Sequence, residues 1–262
     1  MFETFENTIR TELNEFLTTR KMQQAIELSK ATGQHFNHNQ YPMYFVGKLD
    51  AHLILVHLNP YQHNDYSPTY TAPLQWTDFD QYFSYHQHFG KHQFGPTSDR
   101  THRSKFDHKQ VRFLKPFGVI NFAEGNTQAD VFTNLERVID HKLQLELIPY
   151  GSQKFSARGF TTTMLQPHFE RILDVIAACP REYVLFCGKV FERFFRTSIT
   201  RTHVFKLPRS DGNTAQDYAR FSNLEFEYKG QVIYAGLAHS FARQGLAITA
   251  YGQYCKTLYH AQ

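Results

Sequence analysis

The residues of this chain that could do chemistry recur at one kind of place, the end of an apolar run just before a turn. Asn59 closes the run His52-Leu53-Ile54-Leu55-Val56-His57-Leu58 and is followed by Pro60 and Tyr61. Glu146 lies three residues before Pro149-Tyr150, in a second run from Leu143 to Ile148. Gly188 follows a third run, Tyr183 to Cys187, and His239-Ser240 follows a fourth, Gln231 to Leu237. A short apolar stretch bounded by a turn signal reads as a buried strand. Pro60 has no ladder donor and biases Asn59 away from helical angles, so the first strand stops there with the Asn59 side chain at its C-terminal end. In open α/β sheets, ligands gather outside that end. On pattern alone the stretch also fits a core strand followed by a proline turn. Glu146 reads either as an exposed strand residue or as a group that reads a ligand. A lone glycine between strand and helix, as at Gly188, is a weak phosphate signal.

A second kind of chemistry is suggested by residues 61–105, the least regular part of the chain and rich in His, Tyr, Phe, Gln and Thr. Lys91, Arg100, Arg103 and Lys105 stand among aromatics there, a mixture that serves both the backbone and the bases of a nucleic-acid strand. The same residues also suit a solvated loop. A metal-dependent hydrolase using His86, His88 and His92 is a third reading. It is poorly supported, because residues two apart do not share a helix face and no H-E-x-x-H motif is present.

The elements that must position these residues follow from the periodicity of the chain. Apolar residues at Phe5, Ile9, Leu13, Phe16 and Leu17 predict a helix over 3–19, and 21–31 predicts a second, stopped by Gly33. Residues 1–42 then form an N-terminal helical cap. A short strand is expected over 43–49, the first main strand over 52–58, and a helix over 79–88 capped by Thr77 or Asp78. Residues 109–115 read as a helix broken by Pro116, 119–122 as a short strand or turn, and 130–141 as an amphipathic helix. In the strand over 143–148, Leu143, Leu145 and Leu147 face one way, and Gln144 and Glu146 the other. A helix over 161–178 contains Pro167, so its regular part is expected to start near Gln166. A strand over 183–187 leads through Gly188 into a helix to about Arg196. Strands are expected over 202–207 and 224–228, with 208–222 a polar loop. Lys229-Gly230 is a hairpin turn into the strand over 231–237. Ser240 is the expected N-cap of a last helix from Phe241 to about Tyr259.

Strands alternating with helices give one α/β domain over 1–262, with three α/β/α layers, a mainly parallel central sheet, and 61–105 as a long inserted loop region. Right-handed crossovers bring the turns after 52–58, 143–148, 183–187 and 231–237 to one edge. Asn59, Glu146, Gly188 and His239 then share a rim.

Composition bounds the partners. Hydrophobic residues make up 41% and charged residues 20%, enough for a sizeable core, and aromatics reach 16%. A net charge of +4 permits nucleic-acid contact without demanding it. Cys179, Cys187 and Cys255 form no C-x-x-C pair, which argues against a disulfide framework, a zinc site or a four-cysteine cluster and suits a reducing cytoplasm. No apolar stretch is long enough for a membrane span, and the early acidic residues do not suit a signal peptide. Neither a metal nor another cofactor is expected.

With its turns in this order, the chain resembles the uracil-DNA glycosylase superfamily, whose members hold a parallel sheet between helices. The family's first signature is a strand ending in a G-x-N-P or G-Q-D-P-Y turn. It is matched by Val56-His57-Leu58-Asn59-Pro60-Tyr61, closest to the Asn-bearing mismatch-specific and single-strand-selective branches. The last signature, a His-Pro-Ser or similar turn, is matched by Ala238-His239-Ser240-Phe241-Ala242-Arg243, and an intermediate strand by Glu146-Leu147-Ile148-Pro149. The resemblance spans about 43 to 260. It implies N-glycosidic bond hydrolysis on a base flipped out of DNA, or on single-stranded DNA. Asn59 would position the attacking water and His239 would stabilise the departing base. Tyr61, Tyr150, Glu146 and Gly188 would hold the base, with one of the tyrosines stacking on it. Ser240, Arg243, Arg100 and Arg103 would contact the nucleic-acid backbone. The proline of the last signature is missing, and two further departures favour a non-catalytic or differently specific binder of a nucleotide or nucleic acid: His57 stands where the family has glycine, and Glu146 replaces a base-reading asparagine. An ionised carboxylate only accepts hydrogen bonds, which suits the amino group of cytosine or adenine and not the O4 of uracil.

Overall fold

The computed structural model describes residues 2–61, 76–98, 105–125, 127–208 and 216–259. Among these, two helices open the chain, α1 (Glu3–Thr19) and α2 (Gln23–Thr32), followed by strands β1 (Phe45–Gly47) and β2 (Leu53–His57). Next come α3 (Phe79–Gln87), α4 (Phe89–Phe94), α5 (Lys105–Leu114), α6 (Gln128–His141) and β3 (Lys142–Glu146). Then follow α7 (Thr162–Ala177), β4 (Tyr183–Phe186) and the short α8 (Glu192–Phe195). The chain closes with β5 (Ile199–Pro208), β6 (Gln216–Tyr228), β7 (Gln231–Leu237) and α9 (Ile248–Tyr259).

The strands form one sheet in the order β1-β3-β2-β4-β7-β6-β5. Its middle four strands, β3-β2-β4-β7, run parallel, whereas β1, β6 and β5 pair antiparallel. The sheet is therefore mixed, with its parallel part confined to the centre. β2, β3 and β4, which pair in parallel, are connected through helices, while β6 turns straight into β7 at Lys229-Gly230, which only antiparallel pairing allows. The four expected turns do lie at one rim, because the C-terminal ends of parallel strands share an edge.

Strict side-chain alternation divides the core between the two faces. Ile54 and Val56 of β2, with Leu143 and Leu145 of β3, pack against α1, α3 and α7. Leu53 and Leu55, with Tyr183, Leu185 and Cys187, pack under α5 and α9. Two apolar layers covered by helices give the three-layer α/β/α arrangement.

Several boundaries differ from the sequence reading for physical reasons. Of the polar loop expected over 208–222, residues 209–215 lie outside the described residues, while 216–222 belong to β6, where they pair with β5, and from Ser222 onward with β7 as well. The last helix starts at Ile248, not Phe241, because 238–243 is occupied by tight turns, with Phe241 N bonded to Ala238 O and Arg243 N to Ser240 O. α7 starts at Thr162 with Thr161 as its cap, and Pro167 lies inside it. After Gly188 there is a short 3-10 turn and only four α-helical residues, ending at Phe195. α5 begins four residues before Lys109, and residues 119–122 form no regular element. Within 61–105, residues 79–87 and 89–94 are helical, and Phe79, Tyr82 and Phe94 are buried. No helix among the described residues is long and apolar enough to cross a membrane.

Candidate functional site

Asn59 stands just beyond β2, half-buried at the rim. Its Nδ2 donates to Ser152 Oγ at 2.7 Å and to Tyr150 O at 3.2 Å. The turn after β2 is thereby bound to the turn after β3, reinforced by Ser152 N to Pro60 O and by a parallel bridge between Tyr61 and Ser152. With its amide hydrogens so used, the polar atom Asn59 has left to offer is the acceptor Oδ1.

His239 stands just beyond β7, two strands from β2, or roughly 10 Å at normal strand spacing. Its side chain is 4% exposed, with Nε2 bonded to Ser222 Oγ at 2.9 Å and Nδ1 lying 3.7 Å from Glu192. Burial, then the positive charges of Arg220 and Lys189, lowers its pKa to about 4, so the imidazole is neutral. Asn59 is thus drawn toward β3 and His239 toward β6, in opposite directions along the rim. The expected facing of amide and imidazole gives way to this divergence, because each finds its hydrogen-bond partner on the outer side.

The first and last signature turns meet through other residues. His57, the last residue of β2, is 5% exposed, and its ring lies 5.2 Å from Phe241 and 4.8 Å from Phe106. Phe241 comes from the turn after β7, and Phe106 from the first turn of α5. Lys109, one turn along α5, has its Nζ 5.2 Å from the Phe241 ring centre and donates to Arg243 O at 3.2 Å. These groups roof the α5 face of the sheet at the rim.

Beneath that roof lies a buried polar row. The register pairs His57 with Glu146, Leu55 with Gln144 and Leu53 with Lys142, so all three polar residues of β3 face α5. Lys142 Nζ and Gln110 Nε2 both donate to Gln144 Oε1, at 3.0 and 2.9 Å. Gln144 Nε2 passes the chain on to Glu146 Oε1 at 2.6 Å. Three atoms in this group are buried without a hydrogen-bond partner: Gln110 Oε1, Glu146 Oε2 and His57 Nε2. Buried polar atoms are normally paired, so three in one cluster mark it out. Burial raises the pKa of Glu146 to about 8 and lowers that of Lys142 to about 8; His57 is pushed well below its usual range by burial and then by Lys142 and Lys109. At neutral pH Glu146 is therefore the neutral acid, which both donates and accepts. The expectation of an exposed strand residue fails because α5 covers that face, and the same burial favours the protonated acid over a carboxylate that only accepts. Clusters of perturbed titratable groups at the C-terminal rim of parallel strands are functional-site candidates.

The remaining expected site residues are dispersed. Tyr61 is 66% exposed, but Tyr150 is 2% exposed and its hydroxyl donates to Glu12 at 2.8 Å, so it cannot stack on a base. Gly188 adopts φ 142, where only glycine is at ease, and the nearest protein side chain that a Cβ there would touch is Leu58 at 3.7 Å. Ser240 caps no helix: its Oγ accepts from Arg220 N at 3.1 Å. Arg243 is exposed, and its guanidinium donates to Tyr218 O. Arg100 and Arg103 lie outside the described residues. Among the described residues no group of three His, Cys, Asp or Glu side chains is placed to hold a metal ion. His86 is buried against Tyr82 with its Nδ1 on Tyr82 O, and His92 stacks on Tyr85.

Sequence reasoning missed Lys142, Gln144, Gln110 and the roof residues Phe106 and Phe241. The signal for β3 was present: a polar residue at every second position of a strand flanked by apolar ones. Whether that face met water or α5 was a tertiary matter. No protein-family model matches the chain, and no curated protein or solved structure shows significant similarity to it.

Proposed function

We propose that this chain is a uracil-DNA glycosylase-like protein that takes a base of DNA, or a nucleotide, at the C-terminal rim of its parallel strands and reads the base edge with Glu146. The observation that carries this reading is the pair of unpartnered buried atoms, Glu146 Oε2 and His57 Nε2, on register-paired residues of adjacent strands. A base edge supplies the partners they lack. The neutral acid donates to a carbonyl and accepts from an adjacent N–H, which matches the keto-imide edge of uracil or hypoxanthine. Ionised, it matches the amino group of cytosine or adenine. Glu146 is 2% exposed, so a base reaches it only when the side chains over that face move aside; Phe106 and Phe241, which cover its register partner His57, are among them. Tyr61, exposed beside Asn59, supplies a stacking face.

Binding is favoured over bond hydrolysis by His239, whose Nε2 is committed to Ser222. Hydrolysis is a second reading, supported by Asn59: with Nδ2 pinned, its Oδ1 is an acceptor able to orient a water. Oligonucleotides carrying uracil, hypoxanthine, cytosine or an abasic site, titrated at pH 6 and pH 9, test the first reading. Keto bases are expected to bind better than the abasic strand at pH 6 and to lose that advantage at pH 9, and Glu146→Gln to keep it at both. Equal binding of all four strands by the unaltered protein sinks the assignment of Glu146. Base release assayed alongside decides on hydrolysis, which requires that Asn59→Ala abolish it.

A further inference from the structure

Beside the rim site runs a groove that neither signature includes. It lies between the 3-10 turn Ala157–Gly159 with the start of α7 on one side, and the segment from Lys189 through α8 on the other. One cavity of about 480 Å³ is lined by Ala157, Lys189, Val190, Glu192, Arg193 and Arg196, with Ile199. A second of about 300 Å³ shares Arg193 and Arg196 and continues to Phe160 and Thr161. Each is within or close to the range of about 300–1,000 Å³ usual for ligand clefts.

The charge of this groove is one-sided. Arg193 is held on the wall by two neutral acceptors, Phe160 O and Ala157 O, both at 2.9 Å, so its position is set while its charge stays uncompensated. Lys189 and Arg196 are exposed. The one acid on the wall, Glu192, is drawn back by Arg220 at 3.2 Å. Two further nitrogens at that junction, Arg220 Nε and His239 Nδ1, are buried without a hydrogen-bond partner. Three cations around a preformed cleft, with the carboxylate already paired, match an acceptor-rich anion of spread charge. Guanidinium groups meet phosphate oxygens in this way.

We propose that the Lys189–Arg193–Arg196 groove binds phosphate, and specifically that it carries the phosphodiester backbone of a single nucleic-acid strand past the rim. The groove adjoins the turn after β4, and β4 lies between β2 and β7, so a strand seated in it is next to the rim at which both end. This inference goes beyond base reading and stands whether or not Glu146 contacts a base.

The test is a salt titration of a labelled single-stranded 12-mer lacking modified bases, with inorganic pyrophosphate as a second ligand. The unaltered protein is compared with Lys189→Gln/Arg196→Gln and with Lys48→Gln, an exposed lysine following β1 at the opposite edge of the parallel strands. Losing two strand contacts should lower the slope of log K against log salt by about 1.4 and weaken binding about 25-fold at 0.1 M salt. Lys48→Gln should change neither. If the double variant loses pyrophosphate binding while the strand is unaffected, the groove is a phosphate site but the strand path is overturned. An unchanged slope together with unchanged pyrophosphate binding overturns both. Because the 12-mer carries no altered base, neither result bears on Glu146.

Discussion

Replacing Glu146 by glutamine should change how the stability of the fold depends on pH. Glu146 ends β3 with one oxygen bonded to Gln144 and the other buried without a partner, and burial raises its pKa from 4.5 to about 8. Between those values the folded chain holds a proton that the unfolded chain has released. The stabilisation is complete below pH 4.5, declines as pH rises and is lost as pH passes 8. One proton is worth about 1.4 kcal/mol per pH unit, so raising pH from 5.5 to 7.5 should weaken the fold by about 2–3 kcal/mol through this residue. Lys142, lowered to about 8, stays largely protonated in both states over this interval and contributes little. Buried histidines with lowered pKa, such as His86 and His239, push the other way at the acid end, so the unaltered protein alone does not isolate the effect. Glu146→Gln does: glutamine keeps an acceptor for Gln144 and has no proton to lose, while every histidine is shared by the two proteins. The stability of the unaltered protein relative to the variant should therefore fall by about 2–3 kcal/mol from pH 5.5 to 7.5, measured by urea unfolding. For a chain of this size that is a relative Tm shift of about 4–10 °C. Parallel profiles over the interval would refute the reasoning and show that Glu146 is ionised in the folded chain.

Other consequences follow from the same geometry. His239, buried on Ser222 and lowered to about 4, should show no midpoint near 6.5 when its ring nitrogens are followed by NMR between pH 5.5 and 7.5; a midpoint there would contradict the burial argument. Arg193→Ala should cost about 1–3 kcal/mol in urea unfolding, since it leaves Phe160 O and Ala157 O without their donor; a neutral outcome would mean that water replaces it freely. Gly188→Ala should cost about 1–3 kcal/mol through its φ of 142, because space at the Cβ is not limiting; a difference below a few tenths of a kcal/mol would show that the turn relaxes.

The sequence by itself determined which segments form the central strands, to within two residues of where they end, and that those ends share an edge. Pro60, Pro149 and Gly188 punctuate apolar runs, and a proline or a glycine at positive φ acts on the chain locally, so its effect is visible without knowing the neighbours. The α1 and α6 helices were legible for the same reason, since their apolar spacing is a local property. Long-range pairing was not legible: residues 216–222 look like a polar loop until β5 pairs with their backbone. Nor could spacing say that the polar residues of β3 face α5 and not water, because a strand's second face is buried or wet according to what packs on it. Position along the rim was readable from strand order, but the direction of each side chain was not. Asn59 and His239 reach their hydrogen-bond partners on opposite sides, and the contact between the two signature turns falls to His57 and Phe241. Only tertiary packing decides that, because it depends on which donor or acceptor the fold brings within about 3 Å.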